Sequence, residues 1–209
     1  MSVTRLLVLG AVRIFQPAHG YLIRQELISW HADEWAHLNP GSVYNALRSL
    51  TRGGLLSEVP VPPAEPVGPA ARAAYRITPA GEEEFLRLLR QCLVSVRPYQ
   101  PEWLQAGIAF AWALPRHEML DALVTHRHQL EARLAWVRWA EQDICNHPLK
   151  PALVVEQFRL HEAHLTGELA WLEAVSARIE AGEYGFDGED PARIMPTPGR
   201  ADRRTTNQT

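Results

Sequence analysis

The side chains of this chain best suited to chemistry lie close together. In "LNPGSVYNALRSLTRGGLL", residues 38–56, Ser42, Tyr44, Asn45, Arg48 and Arg52 recur at helical spacing opposite Val43, Ala46, Leu47 and Leu50. Such a helix buries its apolar stripe and offers hydroxyls, one carboxamide and two guanidiniums to a partner. A guanidinium fork matches the edge of guanine and a carboxamide that of adenine, so the set suits a DNA groove, with hydroxyls to meet phosphates. Pro40 and Gly41 open the helix sharply, which predicts backbone amides free to face a phosphate. Gly53 and Gly54 end it in a turn. Taken alone, a surface helix with two Arg is more simply a solvated face; the surrounding elements decide.

Two other constellations invite a reading. Of seven Trp, five fall in the C-terminal half: Trp103, Trp112, Trp136, Trp139 and Trp171. They could line a flat pocket for a planar effector, with Trp103, Trp112 and Trp171 the best candidates. Core packing at helix crossings is the plainer alternative. His161, His164 and Glu168 share a helix face, His126 and His128 stand nearby in sequence, and Cys145 precedes His147 by two positions. Without a cysteine-rich cluster we expect no metal site. The chain holds no Gly-x-Ser-x-Gly, P-loop or dinucleotide fingerprint. We expect a protein that is not an enzyme and needs no cofactor.

Bulk properties narrow the class. The 209 residues are 46% hydrophobic and 22% charged, enough for one large or two small globular domains. A net charge of −3 argues against a broadly basic nucleic-acid binder, though a local patch can differ in sign. Cys92 and Cys145 are the only cysteines and form no CxxC, which predicts a reducing, cytoplasmic setting. The apolar "LLVLGAV" near the N-terminus is cut short by Arg13 and lacks a small-x-small cleavage site, so no export signal is expected. No apolar run approaches the ~18 residues of a membrane span.

The elements that must position the 38–56 helix can be read on either side of it. Residues 3–15 are apolar on most sides and predict a helix buried all round. "QPAHG" stops it, and "YLIRQELISWH" supplies a second helix. After the third helix, "LLSEVPV" and "AAYRIT" read as strands around a Pro-rich loop, and Thr78-Pro79 reads as the cap and first turn of another helix. Three helices followed by a hairpin is the layout of a winged helix-turn-helix. Arg72 and Arg76, near the hairpin, would then touch the DNA backbone or minor groove.

"RPYQP" predicts a boundary near 97–101, giving a domain at 1–97 and a helical one at 98–182. Helices are expected over about 102–113, 115–146 and 150–182. The first long one carries Leu120, Leu123, Leu130, Leu134, Val137 and Ile144 on heptad positions, and the second carries Val154, Phe158, His161, Leu165, Glu168, Leu172, Val175 and Ile179 at alternating steps of four and three. Arg127 and Glu141 interrupt the first seam. A homodimer satisfies such stripes economically; a hairpin packed on its own domain is the alternative. The polar 183–209 tail is expected to be mostly disordered.

Three segments resemble the PadR family of transcriptional regulators: "HGYLIRQEL", "LNPGSVYNALRSLTRGGLLSE" and "AAYRITPAGEEEF". The matching motifs are His19-Gly20-Tyr21, Gly41-Ser42-Val43-Tyr44-Asn45-Ala46-Leu47 and Tyr75-Arg76-Ile77-Thr78-Pro79-Ala80-Gly81. Order and spacing fit across residues 1 to about 95. The resemblance implies a cytoplasmic homodimer, usually a repressor, on a pseudo-palindromic double-stranded DNA operator. It also implies a C-terminal helical dimerisation domain and a response to small aromatic or hydrophobic compounds. Tyr44 and its neighbours would then contact DNA, with Tyr21 and Arg24 near the backbone. A winged-helix interaction module, or a drug-binding protein with no operator, is the alternative.

Overall fold

The computed structural model describes residues 2–60, 73–147 and 149–194. It is mostly helical with one small antiparallel sheet, as expected. The described residues form two compact units, one of residues up to 92 with 97–110 and the other of residues 93–96 with those from 111 to 194.

The first unit is built around α1 (Val3–Phe15), where Val3 and every residue from Leu6 to Val12 are buried. α2 (Gly20–Ser29), a single-turn α3 (Ala32–Trp35) and α4 (Pro40–Arg52) pack around it. The sequence showed no sign of α3. It starts after His31, whose left-handed backbone (φ 55°) redirects the chain. β2 (Leu56–Pro60) and β3 (Ala73–Ile77) form the expected hairpin, with Leu56 opposite Ile77, Glu58 opposite Tyr75 and Pro60 opposite Ala73. "QPAHG" does more than stop a helix: Ala18–His19 is a short strand, β1, which pairs with β3 and makes the sheet order β1-β3-β2.

α5 (Pro79–Val94) leaves the hairpin at Thr78. The Thr78 hydroxyl donates to the Gly54 carbonyl (2.7 Å) and accepts from the Gly81 amide (3.0 Å). Its own amide donates to Leu55 (3.1 Å). One residue thus caps α5 and ties it to the turn ending α4. Glu82 and Glu84 lie in the first turns, as the helix dipole favours. Glu82 also accepts from Arg13 (2.7 Å), and Arg87 holds the Glu84 carboxyl below its ordinary range.

α6 (Glu102–Phe110) lies beyond the boundary expected at 97–101, yet it belongs to the first unit. Phe110 is fully buried edge-on against Phe85 (5.6 Å) and Trp30 (5.7 Å), and its ring occupies the space above Gly10. Its apolar side chain assigns the helix to that core.

In the second unit, α7 (Arg116–Cys145) and α8 (Val155–Glu180) form a hairpin. Leu123, Leu130, Leu134 and Val137 are buried on α7, and His161, Leu165, Leu172, Val175 and Ile179 on α8. Antiparallel order is plain from the cross-links Arg138–Glu162 (2.7 Å) and Arg159–Glu141 (3.0 Å). Glu141, an interruption of the seam in sequence, is therefore paired with α8.

The first part of the tail, up to residue 194, is folded. Phe186 is 3% exposed, and Arg116 grips this segment through Glu189 (2.7 Å) and the Tyr184 carbonyl (2.7 Å). The Asp187 amide donates to Leu114 (3.1 Å), and a short α9 (Pro191–Ile194) follows. One buried aromatic and a two-pronged guanidinium–carboxylate pair order a segment whose composition reads as polar tail. Residues 195–209 lie outside the described residues.

Burial pushes the His161 imidazole below its ordinary range, and Arg133 and His164 push the same way. The unfolded chain therefore takes up that proton more readily than the folded one. This contribution to stability is full above the unfolded value, ~6.5, and is lost as pH falls below it. Urea melts at pH 7.5 and pH 5.5 should show an acid loss that shrinks in His161→Gln; an unchanged loss would remove His161 from the titration.

Candidate nucleic-acid interface

α4 begins at Asn39, which is extended (φ −110°, ψ 160°) and accepts the Ser42 amide on its side chain (2.8 Å). The Asn39 amide donates back to the Ser42 hydroxyl (3.1 Å), closing a reciprocal capping box. This narrows the expectation of free amides at this end to the amide of Gly41. Pro40 has none, Ser42 is capped, and the Val43 amide bonds the Asn39 carbonyl (3.3 Å). Ser42 holds its hydroxyl on Asn39 too, donating to that carbonyl (2.7 Å).

The rest of the helix divides as its pattern requires. Val43, Leu47 and Leu50 are buried, and Tyr44, Asn45, Arg48 and Arg52 are exposed. Arg48 donates to the Asn45 carboxamide oxygen, so two groups able to read bases are arranged together on the outer face. The Tyr44 ring lies against α2 where it starts: a Cβ on Gly20 would stand 2.9 Å from that ring and 3.2 Å from Leu47. The residue between His19 and Tyr21 must therefore be small. Tyr21 is 58% exposed and accepts from Gln25 (2.6 Å), while Arg24 is half-buried.

The hairpin carries further polar groups. Arg76 is exposed and stands opposite Ser57. Side chains alternate along a strand, so Arg76 leaves the sheet on the face opposite Tyr75 and Glu58. Burial pushes the Tyr75 phenol up, and the Glu58 carboxylate pushes it further; Arg48 acts in the opposite sense, and Tyr44 adds to the rise. Tyr75 and Glu58 thus share electrostatic surroundings with the outer face of α4. Neither was singled out as a site residue from the sequence. Tyr75 stood only as a motif letter, and Glu58 is placed by pairing with a residue far along the chain. Arg72 lies outside the described residues.

The tryptophans are divided between the two units. Trp103 belongs to the first unit and is 5% exposed, with the Arg97 guanidinium 3.6 Å from its ring centre. Trp112 and Trp171 are half-buried in the second unit. Glu168, which shares a helix face with His161 and His164, is hydrogen-bonded to His126 Nε2 (2.9 Å), and His126 Nδ1 is hydrogen-bonded to the Leu93 carbonyl (2.8 Å). Among the described residues no group of three or more His, Cys, Asp or Glu could hold a metal ion. Among them, too, no helix is long and apolar enough to cross a membrane.

Comparison with known proteins bears on this geometry. The model of the transcriptional regulator PadR-like family matches residues 8–87, which hold the later part of α1, α2 to α4, the three strands and the first part of α5. No curated protein matches in sequence. The crystal structure of Bacillus subtilis PadR in complex with operator DNA is 17% identical, with 84% of this chain and 98% of that one covered and a TM-score of 0.36. The same regulator in complex with p-coumaric acid is 17% identical, with 85% and 99% covered and a TM-score of 0.34. A PadR-like transcriptional regulator from Bacillus cereus is 20% identical, with 86% and 99% covered and a TM-score of 0.34. The motifs and the helix-and-hairpin layout of the first unit agree with the family model over residues 8–87.

Proposed function

We propose that the protein is a homodimeric, sequence-specific DNA-binding regulator, acting in the cytoplasm as a repressor on a pseudo-palindromic operator. α4 enters the major groove. Arg48 and Asn45 read base edges, while Tyr44, Ser42 and Arg52 meet the backbone with Tyr21 and Arg24 beside them. Arg72 and Arg76 on the wing add phosphate contacts. The observation that carries this reading is the division of α4: one face fully committed to the core, the other exposing Tyr44, Asn45, Arg48 and Arg52 side by side.

The helical unit holds the dimer. Trp136 (45% exposed) and Trp139 (62%) on α7, with Leu160 (60%) on α8, leave apolar surface that association would cover. The effector is a small planar aromatic compound, stacking on Trp103, Trp112 or Trp171; at Trp103 it takes the place of the Arg97 guanidinium. Such a ligand binds the two DNA-binding domains' alternative spacings unequally and so shifts operator affinity.

Fluorescence anisotropy on labelled upstream DNA, titrated across salt against a scrambled competitor, tests this reading. Arg48→Ala should weaken specific binding by about 1–3 kcal/mol, roughly 5- to 150-fold, and relax the preference at one base. Equal affinity of the variant would remove Arg48 from the readout. The net charge of −3 favours a second reading, an interaction module that does not use DNA. Selection from random DNA that enriches no site would support it.

A further inference from the structure

We propose that a cavity in the first unit, shared by α2, α3 and the start of α4, binds a small aliphatic α-amino acid, with its carboxylate on Arg24 and its ammonium on Asp33. The site is distinct from the aromatic effector, and only its consequence for DNA rests on the DNA-binding reading above.

The cavity measures about 230 Å³, and Arg24 and Asp33 both line it. Leu27 and Ile28 on α2, Leu38 just before α4 and Val43 on α4 supply its apolar wall. Leu27 and Val43 are buried core residues, so the fold itself fixes that wall. The segment that carries Asp33 is held as well: the Trp35 indole donates to the Trp30 carbonyl (3.0 Å), and the Leu38 amide to the Ala32 carbonyl (3.3 Å). Arg24 Nε is shut off from solvent and has no acceptor among the described residues. Asp33 is exposed, and among the described residues it pairs neither with Arg24 nor with any other group. One small cavity thus presents a cation and an anion that do not satisfy each other.

The chemistry of the occupant follows from that pair. A guanidinium cannot shed its proton, so an Arg Nε–H closed off from water calls for an acceptor. A carboxylate matches the fork best, with one oxygen on Nε and the other on a terminal nitrogen. A simple acid would leave the Asp33 carboxylate facing a second anion. A ligand that also carries an ammonium answers both charges and enters as a neutral zwitterion, and the apolar wall takes its aliphatic side chain. Size narrows the class further. Sites for drug-sized ligands measure roughly 300–1,000 Å³. This one has room for roughly eight waters at ~30 Å³ each, the bulk of about nine heavy atoms, as in leucine. In the proposed DNA complex Arg24 stands beside the backbone. A carboxylate on its guanidinium takes the place of one phosphate, so occupancy lowers DNA affinity and reduces its salt slope by about 0.9.

The test titrates the isotope-labelled full-length protein and follows its amide resonances by NMR. The probes are L-leucine, isoamylamine (leucine without its carboxylate) and isocaproate (leucine without its ammonium). Leucine should shift the amides of residues 24–43 saturably. It should bind at least about ten-fold more tightly than either analogue, the effect of one lost charged hydrogen-bond partner. Arg24→Gln should erase the advantage over isoamylamine, and Asp33→Asn the advantage over isocaproate. Asp33 is exposed, so Asp33→Asn decides the matter even if Arg24→Gln fails to fold. No saturable leucine binding up to about 10 mM, an analogue that binds as tightly as leucine, or an Asp33→Asn variant that keeps the full preference over isocaproate would each overturn the proposal. The DNA arm is read separately, on the tightest site selected from random DNA, where saturating leucine should reduce the salt slope by about 0.9. Leucine binding by a protein that selects no DNA site would uphold the cavity and sink the DNA-binding reading. A selected site without leucine binding would do the reverse.

Discussion

Gly81→Ala should destabilise the winged-helix unit by about 3 kcal/mol or more, lowering the urea midpoint and reducing DNA binding with it. A Cβ at Gly81 would overlap the Leu55 carbonyl oxygen and stand 2.8 Å from Ile77 Cγ1. A flexible side chain could swing aside, but this carbonyl cannot. It accepts the Thr78 amide (3.1 Å), and the Leu55 amide is itself held by the Leu50 carbonyl (2.9 Å). Thr78 also donates to Gly54 and accepts from Gly81. Relieving the overlap therefore means lifting α5 off the turn after α4, which breaks these bonds and leaves a polar group short of a partner. The same shift would displace β2 and β3 relative to α4, so the cost appears in DNA affinity as well as in stability. Equilibrium unfolding followed by far-UV circular dichroism checks the first part. A variant with an unchanged midpoint would show that the turn yields more easily than its hydrogen bonds allow.

The motif Tyr75-x-x-Thr78-x-x-Gly81 was legible as letters, and the structure gives each letter a cause. Thr78 bridges the turn and the helix, Gly81 admits the Leu55 carbonyl, and Tyr75 sits between hairpin and α4. Local pattern was enough for α1, α4, α7 and α8, because their apolar positions repeat with the helical period and burial follows it. It was not enough where a residue's partner lies far along the chain. β1 is two residues long and has no periodicity; it is a strand only because residues 74 and 75 pair with it. Glu168 shares a helix face with His161 and His164, yet its partner is His126 on the other helix. Phe186 stands alone in a polar tail, and Arg116 provides for its segment from the start of α7. At the interface, the outward face of α4 follows from its own pattern. The wing's contribution depends on strand register, which is why Glu58 and Tyr75 did not announce themselves.

Phe110→Ala should destabilise the same unit by about 3–5 kcal/mol, the range for a buried aromatic that leaves a cavity. The ring is fully buried and packs edge-on against both Phe85 and Trp30, interactions that add to simple burial. The position decides where the domain ends. A chain cut at residue 97, the boundary that Pro-rich composition suggests, would lose α6 and leave the seat at Gly10 open to water. One cut at residue 113 would keep it. Gly10 supplies the sharper test, because a Cβ there would overlap the Phe110 ring. In the wild-type background, Gly10→Ala should therefore be destabilising despite alanine's better helix propensity. In the Phe110→Ala background, the added methyl enters the cavity and the helix gains its propensity, so the same substitution should be neutral or stabilising. The two changes must couple, with an interaction energy of about 1–3 kcal/mol opposite in sign to the single effects. Additive midpoints would mean that α6 does not close this core, and the domain would then end before it.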